Sequence, residues 1–243
     1  MKEESNGFVR RLGDILFPPK CVCCKSLLDV KKSRVLCESC KTDYALARRL
    51  VCRHCGKEMQ SCTCCGDILI KQGIYRVARV VAYYPERDSA PEHALLYAAK
   101  RKRLTEVWKF IALEMAASVR AMPESPEGFC VTYVPRRPKS VNTYGFDHAK
   151  EISKLIAEEL CLPWEETLCR DPRSKEQKGL TRKEREDNAA NTILPVDGLC
   201  ATGRRYIIVD DILTSGASLA AASGVLKALG AKEVRCAVFA YRG

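Results

Sequence analysis

The sequence predicts an α/β protein: a parallel sheet covered by helices on both faces, headed by a small cysteine-rich metal module. Three observations carry that prediction. From residue 75 onward, β-branched and apolar runs alternate with helical segments, the order in which a parallel sheet and its crossover helices are laid down. Ten of the 15 cysteines crowd between Cys21 and Cys65. One apolar run, Tyr206-Ile207-Ile208-Val209, ends in two acids and a loop of hydroxyls and glycine.

At 243 residues, with 47% apolar and 29% charged residues, the chain can bury a real core, which excludes wholesale disorder. Its net charge of +11 favours anionic partners. No apolar stretch approaches the roughly 18 residues of a membrane span, so no membrane insertion is expected. Glu3 and Glu4 stand where a signal peptide carries bases, and the chain reads as a soluble cytoplasmic protein.

The elements follow in order. Phe8, Leu12, Ile15 and Leu16 share one helical face, and Pro18-Pro19 stops that helix. The cysteine segment closes a first part, 1–66, with 13 Lys/Arg against 7 Asp/Glu and so over half of the excess charge. The second part, 67–243, opens with a strand over Tyr75–Tyr84 and two helical pieces over Pro91–Ala121. A strand over Phe129–Val134 and an amphipathic helix over Phe146–Cys161 come next. A short strand at Thr167–Arg170 precedes a very polar stretch, Asp171–Asn191. Arg205–Asp211 has the continuous apolar character of a buried parallel strand. An alanine-rich helix over Ser218–Leu229 is stopped by Gly230, and Val234–Tyr241 is the last strand.

The cysteines form Cys-x-x-Cys pairs at Cys21/Cys24, Cys37/Cys40, Cys52/Cys55 and Cys62/Cys65. A two-residue gap lets both thiolates of a tight turn reach one tetrahedral metal at about 2.3 Å, and two pairs complete a closed structural site. Twelve residues separate the first two pairs, near the usual zinc-ribbon loop. The run Cys62-Thr63-Cys64-Cys65 offers alternative ligands, and His54 is a further donor. A structural Zn²⁺ module is expected, with two ions favoured over one.

The acid-and-glycine loop suits a phosphorylated sugar. Amides of Thr214, Ser215, Gly216, Ala217 and Ser218, at the opening of a helix, can hold a phosphate. Asp210 and Asp211, at the carboxyl end of their strand, can accept from vicinal ribose hydroxyls, where open α/β sheets bind ligands. From Tyr206 through Asp210, Asp211 and Leu213 to Ser218 the segment resembles the phosphoribosyl pyrophosphate (PRPP) loop of type I phosphoribosyltransferases, with Ser215 and Ser218 where threonine is commoner. The resemblance implies a type I phosphoribosyltransferase-like sheet, PRPP bound with Mg²⁺, and Asp210 and Asp211 as the catalytic acids of any transfer. Lys100, Arg136 and Arg137 are the expected partners of the pyrophosphate.

Taken whole, the chain resembles the ComF family of competence proteins. Leu16-Phe17-Pro18-Pro19-Lys20-Cys21, Ala99-Lys100-Arg101-Lys102-Arg103 and the stretch from Val134-Pro135 to Tyr144-Gly145-Phe146-Asp147-His148-Ala149 carry the likeness, with Gln177, Leu180, Arg185 and Asn188. Tyr144, Asp147 and His148 depart from the Arg, Asn and Gln of relatives, and Arg136, Arg137 and Lys139 can supply the cations earlier in the loop. His148 reads as a solvated or hydrogen-bonding residue at a helix start, and the Lys178–Arg185 run as a solvated face or a loop over the site.

The family implies a PRPP-binding protein of natural transformation that handles incoming single-stranded DNA in the cytoplasm. Two other readings stay open: a phosphoribosyltransferase of nucleotide metabolism with an unidentified acceptor, and a PRPP-sensing module docked to a helicase or other DNA-uptake protein. No aromatic residue lies between Trp164 and Tyr206 to mark an acceptor base. For DNA, Arg48, Arg49, Arg53 and Lys31-Lys32-Ser33-Arg34 would track the backbone with Tyr44 as a stacking platform; a solvated charged face is the plain alternative.

Overall fold

The computed structural model describes residues 18–29, 31–84, 86, 90–136, 138–171 and 192–242. The N-terminal helix expected over 8–17, Arg137, and the stretch with Gln177, Leu180, Arg185 and Asn188 lie outside them.

Four strands form one parallel sheet. They are β1 (Val77–Ala82), β2 (Phe129–Tyr133), β5 (Arg205–Leu213) and β6 (Glu233–Tyr241), in the order β1-β6-β5-β2. Every residue of β1 and β2 is buried, which is why these runs show no polar alternation. β3 (Leu168–Arg170) pairs antiparallel with β4 (Ile193–Pro195) in a separate ribbon; the sequence reading found the first of these and missed its partner.

Helices cover both faces, as expected. On one side Val80, Val131, Val209 and Phe239 pack with α3 (Pro91–Arg101), α4 (Thr105–Arg120) and α6 (His148–Leu160). On the other, Cys130, Ile208 and Val238 pack with the one-turn α2 (Asp67–Ile70) and with α7 (Ala217–Ala228). Asp147 starts α6 by accepting from the amides of Ala149 and Lys150, and accepts from the Arg136 amide at 2.8 Å as well. A short helix, α5 (Pro138–Tyr144), fills the segment before it.

The cysteine module carries a helix that its spacing did not announce, α1 (Glu38–Arg49). Its Tyr44 is buried, stacked 6.3 Å from Phe239 and edge-on to Phe110 at 5.3 Å, with its hydroxyl donating to Glu114 at 3.2 Å. Tyr44 is therefore a core residue joining module and sheet. The stacking platform read into it is corrected: its ring faces protein on both sides. Arg48, expected on a DNA track, forms an ion pair with the same Glu114 at 3.0 Å, while Lys31, Lys32, Arg49 and Arg53 are exposed.

Candidate functional site: two cysteine clusters and an acid pair

Two knuckles repeat one backbone design. The amide of Lys25 donates to the Cys21 carbonyl at 3.0 Å, and that of Gly56 to the Cys52 carbonyl at 2.9 Å. Lys25 and Gly56 both take positive φ, 65° and 71°, turning the chain so that the two cysteines of each pair face one point. The first cluster adds Cys37, the N-cap of α1, and Cys40 in its first turn. The Cys24 and Cys37 sulfurs lie 3.5 Å apart, and the Cys37 amide donates to the Cys21 sulfur at 3.4 Å.

The second cluster joins Cys52, Cys55, Cys62 and Cys64, whose sulfurs all lie within 4.8 Å of one another. Cys52–Cys64, Cys55–Cys62 and Cys62–Cys64 are 3.6, 3.5 and 3.2 Å apart. This corrects the expected ligand set. Cys64 takes the fourth place, and Cys65 turns inward to donate its thiol to the Ile74 carbonyl at 3.1 Å. Burial raises the Cys65 thiol, as suits a group kept protonated in that bond.

Four thiolates around a tetrahedral ion at about 2.3 Å stand about 3.8 Å apart, so both donor sets fit zinc in number, chemistry and spacing. Burial would raise the Cys52 thiol, but the amides of Cys55 and His54 and the neighbouring sulfurs outweigh it and hold it at about 6. A ligand of this kind must bind as thiolate.

The acid pair lies at the carboxyl end of β5, where the strand continues to Leu213; Asp210 is in register with Val238 of β6. The acids are thus fixed by the sheet itself. Their environments differ sharply. Asp211 accepts from His148 Nε2 at 2.5 Å and from Lys100 Nζ at 3.1 Å, both on its Oδ2. Burial alone would raise its carboxyl, but Lys100 and His148 hold it far below the usual range. Asp210 accepts the Asp211 amide on Oδ1 at 2.8 Å. Burial, reinforced by the charge of Asp211, pushes it up to about 7. Two adjacent carboxyls are therefore set for opposite work: one a fixed anion, the other able to take or release a proton near neutrality.

Of the two roles expected for His148, the structure excludes the solvated one: it makes this hydrogen bond while buried, with its side chain 3% exposed. No sequence signal links it to Asp211, 63 residues away. Lys100 and Arg136 come together here, Arg136 Nη1 donating to the Lys100 carbonyl at 3.2 Å. Arg136 and Arg101 lie 5.5 and 6.0 Å from the ring centroid of Tyr144.

The loop after β5 turns at Gly216, whose φ of +84° needs glycine and whose position is the N-cap of α7. A side chain there would also meet Leu69 and Ile68 of α2 at 3.1 and 3.2 Å. Thr214 is exposed, Ser215 and Ser218 are half-buried, and Ala217 is buried. The Ala217 amide donates to Ser215 Oγ at 3.4 Å.

Comparison with known proteins meets these features one by one. Residues 12–69 match the double zinc ribbon domain, and residues 170–243 match the phosphoribosyl transferase domain. Competence protein F of Haemophilus influenzae is 25% identical over 224 residues, covering 89% of this chain and 94% of that protein. The chain is a homologue of competence protein F. A shorter likeness, 40% identity over 57 residues, joins it to adenine phosphoribosyltransferase of Mycobacterium avium, covering 24% of this chain and 32% of that enzyme. The solved structure of glutamine PRPP amidotransferase from B. subtilis, complexed with ADP and GMP, aligns at 20% identity with a TM-score of 0.38. That alignment covers 63% of this chain and 29% of the amidotransferase, so this chain spans under a third of either protein's length.

In this competence protein F homologue, the zinc-ribbon match contains all eight clustered cysteines and runs on through most of α2. The phosphoribosyltransferase match contains the acid pair and the Gly216 loop. Lys100 and His148 lie outside both matches and reach Asp211 only through the fold; Arg136, also outside them, meets the Lys100 carbonyl.

Proposed function

We propose that the chain binds PRPP with Mg²⁺ at the carboxyl end of β5 and acts in natural transformation, handling incoming single-stranded DNA in the cytoplasm. The observation that carries the PRPP reading is the acid pair set one turn before a glycine-capped helix. The 5-phosphate takes the amides and hydroxyls from Thr214 to Ser218. The ribose hydroxyls and the hydrated Mg²⁺ take Asp210 and Asp211. Lys100, paired with Asp211, and Arg136, bonded to the Lys100 carbonyl, take the pyrophosphate, and binding moves Lys100 from the carboxylate to the ligand.

The DNA reading is supported by the competence protein F likeness and by a groove of about 430 Å³ between the first knuckle and α3. Lys20, Lys25, Lys102 and the half-exposed Tyr97 line it, and none of the described residues lining it is acidic. Arg101 lies 4.8 Å from the Tyr97 ring centroid, so this ring, rather than Tyr44, is the stacking surface on offer.

Calorimetric titration with PRPP and Mg²⁺ tests the central claim. Charged hydrogen bonds are worth roughly 1.5–3 kcal/mol each, so Asp210→Asn with Asp211→Asn is expected to weaken binding at least tenfold. Equal affinity of the double variant and the wild type would refute it. Pyrophosphate release from PRPP, measured with and without single-stranded DNA, separates transferase turnover from binding alone.

A further inference from the structure

Arg79 sits in the middle of β1 with 1% of its surface exposed. Its Nη2 donates to the carbonyl oxygen of Cys64, and its guanidinium lies 4.1 Å from the ring centroid of Tyr241. Nε and Nη1 are buried without a hydrogen-bond partner. Among the described residues no carboxylate forms an ion pair with it, although Arg76 and Arg235 each pair with Glu124, at 2.9 and 2.6 Å. A guanidinium keeps its charge in any protein. Burying one without an anion is costly, and the Cys64 carbonyl and the Tyr241 ring offset only part of that cost.

The missing anion is adjacent. Tyr241, which carries the guanidinium on its face, packs, as Cys64 does, against the buried cluster of Cys52, Met59, Cys62 and Ala82. Four cysteinates around one Zn²⁺ carry a net charge of −2, in a site that is largely closed to water on the sheet side. The first cluster meets its own charge differently. Two of its ligands open α1, a helix of 12 residues whose N-terminal amides and dipole favour anions. No helix of that length opens at Cys62 or Cys64; a three-residue turn, Met59–Ser61, precedes them.

We propose that Arg79 is the fixed counter-cation of a tetrathiolate zinc centre at Cys52, Cys55, Cys62 and Cys64, and so a positioning residue for that metal. The cation holds the second knuckle against β1 by charge as well as by its bond to the Cys64 carbonyl, and the zinc centre in turn justifies a cation in the core of the sheet. The two depend on each other: each is unfavourable when the other is removed. This role of Arg79 is independent of PRPP binding.

Full-length Arg79→Gln and Arg79→Lys provide the test, read by zinc content per chain, by the rate of zinc transfer to a chromogenic chelator, and by thermal unfolding with and without zinc. Arg79→Gln keeps a donor for Cys64 but removes the charge. It is expected to speed release of one of two zinc ions roughly 10–100-fold, the usual scale for losing a partner just outside the ligands, while the other ion keeps its rate. Placing the same change in a Cys64→Ser background should abolish the effect. Arg79→Lys, which restores charge without the planar stack, should restore most of the retention.

The decisive readout is the reversal on metal removal. Arg79→Gln should lower the melting temperature of the zinc-loaded protein and leave it unchanged or raised in the zinc-stripped protein. An equal loss in both forms would make Arg79 a packing partner of Tyr241 and overturn the proposal, as would unchanged release of both ions. If Arg79→Gln gives no folded protein, Arg79→Lys decides alone: two zinc ions at near wild-type release rates uphold it, and loss of one overturns it.

Discussion

The knuckles at Cys21–Lys25 and Cys52–Gly56 close with the same backbone bonds, yet the two clusters built on them are completed by different elements. The first completes itself from the start of α1, with Cys24 exposed and Cys37 half-buried at the helix cap. The second completes itself from an extended segment pressed onto the sheet, where the Val77 amide donates to the Thr63 carbonyl at 3.0 Å and Arg79 to that of Cys64. The residues just after it form α2, which packs against Gly216 in the loop after β5. One metal site thus organises a helix, and the other is continuous with the sheet and the candidate ligand loop. Identical local geometry gives different reach, because reach depends on what the next few residues touch.

Losing one ligand from each cluster in turn should expose this difference most strongly. Cys64→Ser is expected to remove one zinc ion and to raise amide exchange by about tenfold or more in β1 and at residues 213–217, since the segment from Cys64 to α2 loses its anchor. Cys37→Ser should remove the other zinc ion and confine its loosening to the first knuckle and α1, residues 20–49. Cys65→Ala, by contrast, should keep both ions. Equal exchange at residues 213–217 in the two serine variants would break the comparison.

The acid pair handles crowded negative charge in a third way, with a proton. Asp210 titrates at about 7 in the folded chain against 3.8 in its ordinary state, so folding binds a proton between those values. Its contribution to stability is full below about pH 4 and is lost as pH rises through 7. Asp210→Asn removes that loss. The variant should be more stable than wild type by about 1–3 kcal/mol at pH 8, with a smaller gain at pH 5. A gain independent of pH, in thermal melts at the two values, would show that Asp210 is charged throughout.

The smallest expected effect tests the link from the second cluster to the loop. Gly216→Ala places a Cβ at φ +84° and against Leu69 and Ile68, at a cost of about 1–2 kcal/mol. Combined with Cys64→Ser, which already frees α2, it should cost less than the sum of the two changes. Strict additivity would mean that α2 transmits nothing.

Much of this was legible in the chain. The four sheet strands and the helices on both faces declared themselves through uninterrupted apolar runs and glycine stops, because both are local signals. The acids and Gly216 were readable for the same reason. What escaped depends on contacts distant in sequence. Nothing in Cys62-Thr63-Cys64-Cys65 says which sulfur turns to the metal; the Ile74 carbonyl decides it by taking Cys65. Tyr44 sits in a basic segment and looks like a base-stacking ring until Phe239 covers it. His148 acquires a partner only when α6 packs beside β5. The start of α1 was visible in retrospect, with Glu38 in its first turn and Arg48 and Arg49 in its last.

The pairing of β1 with β6 alone in the sheet has a consequence for biosynthesis. Tyr241 follows Cys64 by more than 170 residues, which at typical translation speeds is roughly 9–35 s of synthesis. Through that interval the second knuckle has left the ribosome while the strand beside β1 and the ring over Arg79 do not yet exist. Its thiols must therefore capture their ion, or be shielded from oxidation, before the surface they will rest on has been made.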